Sequence, residues 1–154
     1  MNKPVSETKD NLLARVDALQ VKGRTALGPA VLASVAMASK GAPGSQVIIC
    51  TDGMANVGIG SFNQYGRGSG AEDDATKFYD KVGSLAEESG VMVNLVTIAG
   101  CDANVQGLSR LIELSGGQIE QVNPNELSND FANILSQKAI ATKVEAKVKL
   151  HKGL

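Results

Sequence analysis

Apolar residues recur along the chain at two different intervals, and the intervals divide it into elements. Leu12, Leu13, Val16 and Leu19 fall on one face at helical spacing, which predicts an amphipathic helix over Ser6 to Gln20 that stops at Gly23. A second helix is expected to open near Gly28 and Pro29, since proline's lost N–H costs nothing in a first turn, with Val31, Leu32, Val35 and Met37 along it. Gly41 to Ser45 breaks that helix, and Val47, Ile48, Ile49 and Cys50 follow as an unbroken apolar run. A short run without alternation predicts a strand over Gln46 to Thr51 covered on both faces, with Asp52 at its carboxyl end.

The stretch from Gly53 to Gly70 is rich in Gly, Asn and Ser and reads as a long loop, of the kind that serves a site or a partner. It leads into a helix over Glu72 to Gly90 faced by Phe78, Val82, Leu85 and Ala86. Val91 to Ile98 is a second buried strand, and Val105, Leu108, Leu111 and Ile112 mark a helix that ends at Gly116 and Gly117. Gln118 to Val122 suits an edge strand, and Pro124 starts a last helix faced by Leu127, Phe131, Ile134 and Leu135. Such alternation implies an α/β fold with a doubly wound, mostly parallel sheet and helices on both faces. From Ile140 the period changes: Val144, Ala146, Val148 and Leu150 alternate with Lys143, Glu145, Lys147 and Lys149, as in a strand with one wet face that starts a separate β element.

Composition narrows the function classes. With 154 residues, 43% hydrophobic, the chain is sized for one compact domain. Lys and Arg number 15 against 16 Asp and Glu, so no one-signed field draws it to nucleic acid or to an anionic membrane. Only 3% of residues are aromatic and there are 17 Gly, a balance suited to helices stacked on a buried sheet. Cys50 and Cys101 have no Cys or His partner at metal-ligand spacing and are expected to be reduced. No apolar stretch reaches bilayer length and Met1 to Asp10 is polar, so membrane insertion is not expected and a cytoplasmic location is.

Ligands of open α/β sheets collect at the carboxyl ends of strands, which singles out Asp52, although Asp52-Gly53 also suits a simple turn. The glycines between Gly58 and Gly70 hint at a phosphate cradle, but the sequence contains no Gly-x-x-x-x-Gly-Lys-Ser/Thr. His151, the only histidine, has no evident nucleophile beside it. Glu72, Asp73 and Asp74 fit helix-dipole capping, and Lys143, Lys147 and Lys149 fit a solvated strand face.

Four segments resemble, in order and spacing, a von Willebrand factor A-type (VWA) domain. Gly23-Arg24-Thr25-Ala26-Leu27-Gly28-Pro29-Ala30 is similar to the loop carrying that family's metal-binding threonine. Val47-Ile48-Ile49-Cys50-Thr51-Asp52-Gly53 is similar to its strand and metal-site aspartate. Val91 to Ile98, and Leu108 to Gly117 with its Ser115-Gly116-Gly117 exit, resemble the next strand and helix. The likeness covers residues 7 to 137 and implies a Rossmann-like VWA fold lacking its N-terminal central strand, with a partial VWA domain over 1–138 and a β tail over 139–154.

The resemblance implies a protein–protein interaction module rather than an enzyme. Thr25 and Asp52 would hold a divalent cation, usually Mg2+, whose coordination is completed by an acidic residue of a protein ligand. Arg24, Met54 and Asn56 would shape the rim. The family's Asp-x-Ser-x-Ser loop is absent from this sequence, and Mg2+ wants about six oxygens, so the cation would be held weakly by this half-site. An upstream segment or a second copy would complete the sheet. The segment Asp52 to Gly60 and the tail from Ala141 also resemble large intracellular protist proteins whose VWA region is similar to the trunk of vesicle-coat subunits. That likeness implies a structural role with a vestigial metal site as the alternative. The doubly wound fold alone leaves a nucleotide-binding or hydrolytic enzyme as a third, less favoured reading, since no acid, base and nucleophile converge in the sequence.

Overall fold

A computed structural model of the chain describes residues 4–20, 23–62, 71–98, 105–123, 125, 127–136 and 144–150. The elements run α1 (Val5–Asp17), α2 (Leu27–Ala38), β1 (Gln46–Thr51), α3 (Ala71–Ser89), β2 (Met92–Ile98), α4 (Val105–Leu114), β3 (Ile119–Val122) and α5 (Leu127–Ser136). The strands form one parallel sheet in the order β1-β2-β3, with Val47 beside Val93, Thr51 beside Thr97, and Ile98 beside Val122. This is an α/β architecture compatible with a Rossmann-like, doubly wound fold.

Period-two alternation along the strands sends side chains to opposite faces. Val47 and Ile49 of β1 and Val93 and Leu95 of β2 share a core with Val31 and Val35 of α2, Ala75, Tyr79, Val82 and Ala86 of α3, and Leu108, Leu111 and Ile112 of α4. The opposite face carries a smaller cluster of Val96, Val122 and Ile134 of α5, with Ile48 packed against it. Helices therefore lie on both faces, as the alternation of elements requires.

Several positions depart from the expected faces. On α3 the buried stripe is Ala75, Tyr79, Val82 and Ala86, while Leu85 is exposed and Phe78 only partly covered. The stripe is four, three and four residues apart, one helical face; Leu85 lies off it. Met37 of α2 is 74% exposed, because Val31 and Val35 take the contact with the sheet. β1 is not covered on both faces: Ile48 is half-buried and Cys50 exposed, and no strand pairs with its outer edge among the described residues.

The apolar face of α1 is left unburied. Leu12, Leu13 and Val16 are 47–61% exposed, and α1 has no buried residue. Residues 144–150 belong to no strand and are exposed throughout. Gln118 to Val122, by contrast, contains the expected edge strand, and its entry explains the double glycine before it. Gly116 sits at φ +70, and a Cβ on Gly117 would stand 1.8 Å from the Val93 carbonyl oxygen. The helix must turn sharply here and its exit must lie against the backbone of β2.

Candidate functional site

The carboxyl end of β1 meets the approach to α2, and two short loops are tied together there. The Thr25 N–H donates to Asn56 Oδ1 at 2.8 Å. In return the Asn56 and Val57 N–H groups donate to the Thr25 carbonyl at 3.0 and 3.3 Å. The segment before α2 thus borrows its order from the loop after β1, since its own N-cap residue Ala26 makes no side-chain cap.

Asp52 is presented by a local turn. The Thr51 hydroxyl donates to the Gly53 carbonyl at 2.8 Å and accepts the Gly53 N–H at 3.3 Å, which closes the chain around Asp52 and leaves its side chain exposed. Thr25 is exposed as well. The two expected metal-binding residues therefore lie on loops that Asn56 joins at one end of the sheet. Of the expected rim, Arg24 and Met54 are exposed, whereas Asn56 is half-buried and engaged in holding Thr25.

The loop that follows is built rather than open as far as residue 62. Ala55 is buried, its carbonyl accepts the Phe62 N–H at 3.0 Å, and the Phe62 ring stacks on Tyr79 with centroids 5.5 Å apart. Phe78 meets Tyr79 edge-on at 5.2 Å. Gly60, at φ +75, lies so close to Phe78 that a Cβ would be 2.7 Å from its ring. Three aromatics in a chain that has few of them thus seat this loop on α3. Residues 63–70 of the predicted loop, Cys101 and His151 lie outside the described residues.

Tyr79 is fully buried and its hydroxyl has no hydrogen-bond partner among the described residues; burial pushes its pKa up to about 12. The Cys50 thiol is free, and partial burial raises its pKa. Asp73 and Asp74 are exposed in the first turn of α3, where negative charge suits the helix dipole. Among the described residues, no group of three or more His, Cys, Asp or Glu side chains is placed to hold a metal ion. No described helix is long and apolar enough to cross a membrane.

Sequence reasoning missed the roles of Ala55, Phe62 and Tyr79. The 75-79-82-86 spacing forms one helical face, but so does a stripe through Phe78, Val82 and Leu85, and the sequence alone does not choose between them. Nothing in the sequence pairs Asn56 with Thr25, because the bond joins residues 31 positions apart.

No protein-family model matches the chain. A curated relative from Dictyostelium discoideum, "Circularly permutated Ras protein 1", is 35% identical over 149 residues, covering 97% of this chain and 17% of the relative. The chain thus spans about a sixth of that protein's length. This match overturns the VWA resemblance. Its VWA and adhesion-site assignments fall, as do the metal-dependent interaction module, the vesicle-coat-like structural role and the expectation of a non-enzyme. The misreading has a physical origin. Thr51-Asp52-Gly53 closes a turn at a strand end, and Gly116-Gly117 lets a helix exit against a neighbouring strand, so both recur wherever a parallel α/β sheet needs them. The chain is similar, over nearly all its length, to one segment of a much longer protein named for Ras.

Proposed function

We propose that the chain is a segment of a Ras-related protein that binds and hydrolyses guanosine triphosphate, and that the carboxyl end of β1 serves the divalent cation accompanying the nucleotide. The observation that carries this reading is the 35% identity to the Ras-named relative over 97% of the chain. Its physical support is the position of Asp52 at the carboxyl end of β1, where parallel sheets gather ligands, with Thr25 tied to the same loop through Asn56.

The donor set suits this role better than a free-standing metal cage. Thr25 and Asp52 offer hard oxygens and both are exposed, while no three-residue cluster of stronger ligands stands among the described residues. Mg2+ is commonly held by one or two protein oxygens together with substrate phosphates and water. When bound, the cation neutralises charge on the phosphates during transfer. Thr25 and Asp52 would hold its protein side, and Asn56 keeps the two loops joined.

The sequence contains no Gly-x-x-x-x-Gly-Lys-Ser/Thr, so on this proposal the main phosphate cradle lies outside these 154 residues. The 154 residues alone should therefore bind guanine nucleotide weakly and the whole protein tightly. Titration of a fluorescent GTP analogue into both, with ATP as competitor, tests this. Tight, GTP-selective binding by the whole protein is expected, and its absence would remove the reading.

A further inference from the structure

Thr25 lies between a bend at Gly23, where φ is +65, and the uncapped start of α2. Its N–H and its carbonyl both find partners in the loop after β1: Asn56 Oδ1 at 2.8 Å, the Asn56 N–H at 3.0 Å and the Val57 N–H at 3.3 Å. Asn56 is the only side chain in this set. Its immediate neighbour Ala55 is 1% exposed and linked to Phe62, which stacks on Tyr79 in the core. A chain of contacts therefore runs from α3 through Phe62 and Ala55 to Asn56, and ends on the Thr25 backbone.

We infer that Asn56 is the positioning residue of the strand-end site: it carries the order of the core to Thr25 and so fixes the Thr25 hydroxyl relative to Asp52. The inference rests on the proposed cation-binding role of Thr25 and Asp52, and it replaces the rim role expected for Asn56. Only the acceptor oxygen of the Asn56 side chain is used toward Thr25. An aspartate can supply that acceptor and an alanine cannot.

Mn2+ alone, titrated into the 15N-labelled 154-residue chain, provides the readout through paramagnetic broadening of the Thr25 and Asp52 amide signals. In N56A the Mn2+ affinity should fall roughly two- to tenfold, and exchange of the Thr25 amide hydrogen should quicken by a similar factor, as expected for one lost hydrogen bond. N56D should restore the slow exchange of that amide. T25A should weaken Mn2+ binding at least as much as N56A, and adding N56A to T25A should weaken it no further. If T25A weakens Mn2+ binding while N56A does not, the positioning role is wrong and the cation site stands. If neither T25A nor D52A changes the broadening, the cation reading fails and the positioning role falls with it. Should N56A not fold, N56D decides by itself: a Thr25 amide that exchanges as fast as in an unstructured loop overturns the inference.

Discussion

The two faces of the sheet are covered unequally. Beneath α2, α3 and α4, the side chains Val47, Ile49, Val93 and Leu95 meet a continuous core in which Tyr79, Leu108 and Leu111 are wholly buried. On the other face Val96, Val122 and Ile134 form a small cluster, Ile48 is half-covered, and Cys50 is exposed on the edge strand. The same apolar run, Val47 to Cys50, thus contributes fully on one side and partly on the other. The site lies at the well-packed end of this contrast: its loop is held by Phe62 against Tyr79, on the covered face.

Substitutions measure the contrast directly. Leu111→Ala on the covered face should cost about 2–5 kcal/mol in urea unfolding, through lost burial and the cavity left behind. Gly117→Ala should cost about 1–3 kcal/mol or more, since its Cβ would press on the Val93 backbone. Ile48→Ala, on the open face, should lose less than Leu111→Ala, about 1–2 kcal/mol, because a half-exposed side chain forfeits only part of its burial. Equal losses at Leu111 and Ile48 would mean that the second face is as well covered as the first. Cys50→Ser should stay within about 0.5 kcal/mol, as exposed positions usually do.

Tyr79 sharpens the comparison from within the covered face. Its buried hydroxyl has no partner among the described residues, so Tyr79→Phe should keep the ring packing and raise stability by about 1 kcal/mol, against the usual direction of a core change. The pH dependence has a definite sign. Burial raises the folded-state pKa from 10.0 to about 12, so the folded state holds its proton where the unfolded state releases it. The associated stability is complete below pH 10 and is lost as pH rises toward 12. Unfolding of the wild type followed across that range should show this decline, and Tyr79→Phe should lack the Tyr79 share of it.

Element order was readable because hydrophobic period depends on local geometry: runs such as Val47 to Cys50 and Val91 to Ile98, bounded by glycines, have few other conformations that bury them. Burial was less readable, since it depends on what lies across the space. The run at Val47 to Cys50 suggests two covered faces, yet β1 stands at an edge. Asp52 stood out through its place at a strand end, whereas Thr25 entered only through the family resemblance. The bond between Thr25 and Asn56 was not, because an asparagine in a Gly-rich loop carries no mark of a partner 31 residues away. The family resemblance failed for a related reason: its shared motifs are turns that a parallel sheet imposes on unrelated sequences.

The central proposal is that Thr25 and Asp52 serve a guanine nucleotide's cation in a Ras-related protein. Its most direct test is the Mg2+ dependence of GTP turnover by the whole protein, wild type against Asp52→Ala. The account predicts that the wild type hydrolyses GTP and that Asp52→Ala needs several-fold more Mg2+ to reach half its maximal rate. An unchanged Mg2+ requirement in Asp52→Ala, or no GTP turnover by the wild type, would contradict it.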